Sequence, residues 1–223
     1  METALYSQGV EEEIVEAWHI KDSEEEEDHR LPKHCEPKEF VSLHKLEGRL
    51  LLLLKTQTYG FDEASNCSCM YVYFADLGIR TWRVGSDYEN EEQVKQIRES
   101  RGYSHSCTLD LHPERLPNFE QILKRIFVEH LHLDDEISYC IQGSGYHDVR
   151  DENDRWIRIA VKEGVMILLP AGIYHRLALD LNNYLKILIF NAGPAVDITT
   201  YERPGDDLLA RKLYLETLHK KGC

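Results

Sequence analysis

His130-Leu131-His132 and, four residues further on, Glu136 place two imidazoles and a carboxylate at positions of one parity, in a stretch reading EHLHLDDEISYCIQG. Side chains two apart on a strand project from the same face, close enough for His130 and His132 to share one ion. Leu133–Asp135 can turn the chain so that Glu136 opens the paired strand and faces the same interior. His175 ends GVMILLPAGIYH, where Pro170 and Gly172 shape a bend able to aim its ring back toward the other three groups. Taken singly, each histidine reads as an ordinary core or surface residue. Four in register do not, because buried polar groups need partners and converging ones share a cation most cheaply.

The spacings are those of two known signatures. His-x-His-x3-Glu-x6-Gly fits His130, His132, Glu136 and Gly143, and Gly-x5-Pro-x-Gly-x2-His fits Gly164, Pro170, Gly172 and His175. Together they resemble the paired motifs of the cupins, although Lys124 stands where a glycine usually precedes the first histidine by six residues. Three imidazoles and one carboxylate leave two positions open on an octahedral ion. That donor set suits Fe(II), Ni(II) or Mn(II), whereas a closed structural zinc site more often uses thiolates. Two adjacent open positions would let a substrate with neighbouring oxygens chelate while dioxygen reacts with it. Cys140 shares the inward parity of Glu136 and reads as a small hydrophobe; Cys67 and Cys69 lack further ligands and read as incidental.

Several elements would have to position these groups. DYENEEQVKQIRESRGY carries Val94 and Ile97 three apart, acids early and Gly102 at the end, the start and stop signals of a short helix. Phe119, Ile122, Leu123, Ile126 and Phe127 form one apolar stripe at helical spacing. From Val128 onward the period becomes two. Gly143–Gly145 reads as a tight turn, YHDVRDENDRWIRIAV as a hairpin tipped by Asp151–Asp154, and VMILLP, YHRLAL and YLKILIF as strands. His147 and Asp148 read as plain strand residues without a function. A mainly β barrel of jelly-roll type with flanking helices is predicted, closed by a helix in DDLLARKLYLETLHKK.

Composition bounds the rest. The chain has 223 residues and a formal net charge of −14. Much of that charge sits in residues 1–30, with Glu11–Glu13 and Glu24–Glu27, so 1–30 is expected to be a solvated acidic arm, 31–215 a single domain and 216–223 a tail. No basic face suggests binding to nucleic acid. Leu50–Leu54 is far too short to span a bilayer, and METALYSQGVEEEI lacks the pattern of a secretory signal. The six cysteines are therefore expected to be reduced, in a soluble intracellular protein.

Beyond the ligands, EHLHLDDEISYCIQGSGYHDVRDENDRWIRI, LLPAGIYHR, NYLK, EPKEFVSL, DYENEEQVKQIRESRGY and the late YERP resemble acireductone dioxygenases, most closely those of plants. The resemblance implies a cupin barrel with one Fe(II) or Ni(II) held by His130, His132, Glu136 and His175. It further implies a monomer acting in the cytoplasm, and also the nucleus, on acireductone and O2 in methionine salvage. The pocket departs from the family pattern. Glu136-Ile137-Ser138-Tyr139 replaces the usual Glu-Ile-Arg-Tyr, Ile189-Phe190-Asn191 replaces Arg-Leu-Phe, and Leu177 and His147 stand where Phe is common. An arginine at 138 would help hold an anionic enediolate and a serine cannot, so a metal-retaining binding module is the competing expectation. Gly48–Ala75 has no counterpart in the family pattern and reads as an insertion or a retained intron.

Overall fold

One strand, β5 (Glu136–Arg150), runs for 15 residues and belongs to both sheets of the molecule. The computed structural model describes residues 15–21, 28–41, 77–191 and 200–221. Gly48–Ala75, both acidic runs, Cys67 and Cys69 lie outside the described residues.

In chain order the elements are β1 (Ala17–Ile20), β2 (Arg80–Arg83), α1 (Glu92–Arg101), β3 (His105–Leu111), α2 (Phe119–Phe127), β4 (His130–Leu131), β5, β6 (Trp156–Lys162), β7 (Val165–Leu169), β8 (His175–Leu179), β9 (Leu185–Asn191), β10 (Tyr201–Glu202) and α3 (Leu209–Lys221). All the strand pairings are antiparallel. The first sheet runs β1-β6-β5-β8-β4-β10, and the second runs β2-β7-β5-β9-β3. The N-terminal half of β5 lies between β7 and β9, and its C-terminal half between β6 and β8. Two sheets curled around a shared strand form the double-stranded β-helix barrel of a cupin, the fold class the spacing predicts.

The expected turn at Gly143–Gly145 is not there. Those residues lie inside β5, where the strand passes from one sheet to the other, just after a register shift between Cys140 and Gln142. Gly143 has φ +82°, and a Cβ on it would sit 2.2 Å from the carbonyl oxygen of Tyr184. The glycines allow a bend and a close backbone approach; the chain reverses only at the 151–155 tip.

A second correction concerns the N-terminus. Ala17–Ile20 pair with Trp156–Ile159 and are buried, so the folded body takes in residues that composition assigns to the acidic arm. Trp18 is covered together with Ile20, Tyr146 and Trp156 on the outer face of the first sheet. Likewise α3 continues to Lys221, past the expected limit at 215, with Tyr214 and Leu218 packed on the core.

The predicted helices form where their stripes demand. Val94 and Ile97 of α1 pack with Ile137, Tyr139, Met166 and Phe190 on the outer face of the second sheet. On α2, Phe119, Ile122, Leu123 and Ile126 join Leu177, Leu179, Ile187 and Ile189. A second aliphatic cluster, with Val149, Ile157, Ile159, Ile167, Leu169 and Ile173, fills the other part of the interior. Among the described residues no helix is long and apolar enough to cross a membrane.

Candidate metal centre

His130 lies on β4, His132 just past its end, Glu136 opens β5 and His175 opens β8. The structure brings all four together. His130 and His175 are direct register partners, and the rings of His130, His132 and His175 have centroids 4.5–5.1 Å apart. One ring nitrogen from each lies within 4.8 Å of the others. The Glu136 carboxylate reaches this cluster, with Oε2 2.9 Å from His132 Nε2 and 3.5 Å from His175 Nε2.

The expected strand pairing around these four residues is different in detail. β4 pairs with β8 and β10, while the start of β5 pairs with β7 and β9. Leu133–Asp135 thus carries the chain between sheets, so that the imidazoles and the carboxylate approach from different walls. Asp135 pins this corner: its Oδ1 accepts from the Ala171 N–H at 2.9 Å, and its other oxygen pairs with Arg101 of α1. The Gly172 N–H donates to the His132 carbonyl at 3.0 Å, tying the two motifs together. Gly172 has φ +81°, and a Cβ there would lie 2.4 Å from the Ala210 carbonyl oxygen of α3. A larger residue at this bend would collide with the start of α3 and displace the loop that leads into His175.

Ring orientation is set by the backbone. The Nδ1–H of His130 donates to the Val128 carbonyl at 2.7 Å, and that of His175 to the Ile173 carbonyl at 3.0 Å. Each donation fixes a tautomer and leaves the Nε2 lone pair directed at the site. His175 Nε2 is buried without a hydrogen bond, its nearest acidic oxygen being that of Glu136 at 3.5 Å. Burial, helped by the charge of His175, pushes the His130 pKa down to about 3. Burial alone would raise Glu136, but the His132 and His175 imidazoles that face it hold its carboxyl well below the usual carboxylate range. Ring nitrogens turned inward, an ionised carboxylate and an orphaned buried nitrogen are what a divalent cation requires of its ligands. These residues fit one.

Two strand positions deeper, Ser138 faces the interior, as its parity predicts, and is paired with Ile189 on β9. Sequence reasoning overlooked His147. It is 1% exposed, and its Nε2 lies 3.4 Å from Ser138 Oγ. Burial pushes its pKa down to about 4 against the opposing charge of Glu136. Parity gave no signal for it: counted by twos from Glu136 it falls on the outer face. The register shift between Cys140 and Gln142 is what turns it inward, beside Val149, the register partner of His175. Cys140 is part of an aliphatic cluster and its thiol is pushed up to about 12 by burial, as suits a packing residue. Among the described residues, Cys35, Cys107 and Cys140 form no disulfide.

Fold and site together define a cupin whose barrel holds a three-histidine cluster able to take a metal ion. The model of the ARD/ARD' family matches residues 62–197. Acireductone dioxygenase 2 of Oryza sativa subsp. indica is 49% identical over 212 residues, covering 95% of this chain and 91% of that protein. A Sorghum bicolor relative called "Probable inactive acireductone dioxygenase 2" is 48% identical over 198 residues, 88% of this chain and 93% of its own. Among solved structures, acireductone dioxygenase from Bacillus anthracis with a cadmium ion in its active centre is similar with a TM-score of 0.48 and 16% identity, over 54% of this chain and 81% of that one. The chain belongs to the ARD/ARD' family.

Proposed function

We propose that the protein is a metal-dependent dioxygenase that cleaves acireductone, 1,2-dihydroxy-5-(methylsulfanyl)pent-1-en-3-one, with O2. The observation that carries this reading is the meeting of His130, His132, His175 and Glu136 in the barrel of a chain belonging to this family. These four residues would hold one Fe(II) or Ni(II), in a monomer working in the cytoplasm and nucleus. When bound, the ion supplies a chelating centre for two neighbouring substrate oxygens and a meeting point with dioxygen. With Fe(II) the products are 4-methylsulfanyl-2-oxobutanoate and formate; with Ni(II) they are 3-(methylsulfanyl)propanoate, carbon monoxide and formate.

The chain's own groups prepare the site. The Val128 and Ile173 carbonyls hold the His130 and His175 rings with Nε2 inward, so little reorganisation is needed on metal binding. Glu136 brings the negative charge that offsets part of the cation's. Ile167, Leu177 and Ile189 keep water from the space beyond it.

Ser138, facing Ile189, favours a second reading, in which the chain retains the metal but works as a binding module. One experiment separates the two. Purified protein is stripped with a chelator, reloaded with Fe(II) or Ni(II), assayed for bound metal, and followed for loss of acireductone in air. Full occupancy with metal-dependent product supports the enzyme. Full occupancy without product supports the binding module, and no occupancy refutes both. Metal at 100 times its Kd should also raise stability by about 2.7 kcal/mol, an increment that His175→Ala should abolish.

A further inference from the structure

Ser138 and His147 interrupt an otherwise aliphatic interior. Ser138 is paired with Ile167 on one side and Ile189 on the other, and His147 with Ile159 and Leu177. In each case one neighbour belongs to one aliphatic cluster and the second to the other. The two polar side chains therefore form a seam between the clusters. Ser138 is two residues along β5 from Glu136, and Leu177, the partner of His147, is two along β8 from His175. At a strand's rise this puts the seam roughly 7 Å from the ligand layer.

The seam is incomplete. Ser138 is 2% and His147 1% exposed, so bulk water does not reach them. Their mutual contact is long, 3.4 Å, and His147 Nδ1 is buried with no hydrogen-bond partner. A buried imidazole left half-paired is unfavourable, and a barrel built for packing alone would place an aliphatic side chain there. An oxygen atom of a small molecule lying between the metal layer and the seam would complete it.

The geometry points to His147 as the recognition residue for an oxygen of the small, oxygen-rich molecule held at the metal centre, with Ser138 as the hydroxyl that orients its ring. A neutral imidazole offers one N–H and one lone pair, so a hydroxyl or carbonyl oxygen is the matching partner, and no bond is made or broken at His147. This rests on the metal-site reading of His130, His132, Glu136 and His175.

The test uses the full chain loaded with Co(II), with acetohydroxamate, a two-oxygen chelator, as the probe. Co(II) binding and probe binding are read separately by visible absorption and calorimetry. His147→Leu should bind Co(II) within about twofold of the unchanged protein but weaken probe binding about tenfold, the loss of one hydrogen bond. Should His147→Leu fail to fold, Asn and Gln at this position carry the comparison. An Asn amide lies where Nδ1 sits and a Gln amide where Nε2 sits, so His147→Asn should bind the probe about fivefold more tightly than His147→Gln. Unchanged probe affinity in His147→Leu, or equal affinities in the Asn and Gln variants, overturns the assignment while leaving the metal site standing. Absence of Co(II) binding by the unchanged protein overturns both.

Discussion

Replacing Asp148 by Ala should destabilise the protein far more than breaking an ion pair of the same length at the surface. Asp148 lies on the outer face of β5, between His147 and Val149, and both it and Arg158 are fully buried. Its carboxylate accepts from Arg158 Nε at 2.7 Å, from Arg158 Nη2 at 2.8 Å and from Arg176 Nε at 3.0 Å. The comparison pair is Arg30 and Asp28, whose closest approach is also 2.7 Å but whose side chains are 43% and 38% exposed. Distance being equal, burial decides. The Asp148→Ala chain retains two buried guanidiniums deprived of their common carboxylate, although Arg158 keeps the carbonyls of His29 and Leu31 and the face of the Tyr146 ring. Breaking a buried pair from one side costs about 3–5 kcal/mol, whereas a solvent-screened pair contributes about 0–1 kcal/mol. Taking roughly 2–4 °C per kcal/mol for a chain of this size, Asp148→Ala should lower Tm by about 6–20 °C and Asp28→Ala by at most about 4 °C. Urea unfolding and thermal melts of chelator-treated protein measure both, without metal binding in the comparison. A loss below about 1.5 kcal/mol for Asp148→Ala, or equal losses for the two variants, would refute the view that the first sheet is held by this buried charge cluster.

Gly143→Ala should cost about 3 kcal/mol, because a Cβ at φ +82° meets the Tyr184 carbonyl oxygen at 2.2 Å and the strand must shift; a urea midpoint equal to that of the parent protein would contradict this. Acidification should weaken the metal-free protein. The rings of His130 and His147 drop from an ordinary 6.5 to about 3 and about 4 on burial, so between pH 4 and 6.5 the unfolded chain binds more protons than the folded one. Stability should thus rise with pH through that window, and at pH 5 each ring should cost about 2 kcal/mol relative to neutral pH. Glu136, held below its ordinary value, acts in the same direction, its contribution being lost as pH falls. Denaturant unfolding at pH 7.5 and 5.0 provides the check, and equal stabilities would show that these rings are not buried neutral.

His130, His132, Glu136 and His175 were legible in the sequence because strand alternation and a Pro-x-Gly bend are local, and local geometry is written in residue spacing. The apolar stripes of α1 and α2 and the strands from β6 to β9 were legible for the same reason. β1 was not: AWHI sits among acidic residues, and only its pairing with Trp156–Ile159 gives it a buried face. Gly143–Gly145 misled because glycines that end a strand and glycines that let a strand bend have the same local signature. His147 shows the limit most directly. Counting by twos from Glu136 places it outside; the register shift between Cys140 and Gln142 turns it inward, and its meeting with Ser138 depends on the fold that brings the two halves of β5 to face one another.

The sequence by itself therefore determined which four residues to look for together, the β architecture and the altered residues at 138 and 189. Tertiary structure decided which groups touch: Glu136 against His132 and His175, Asp148 against two arginines, His147 against Ser138. The physical reason is that periodicity fixes only the side of a strand on which a residue lies. Its neighbours depend on pairing register and on strand crossing, which are settled by packing across the whole barrel.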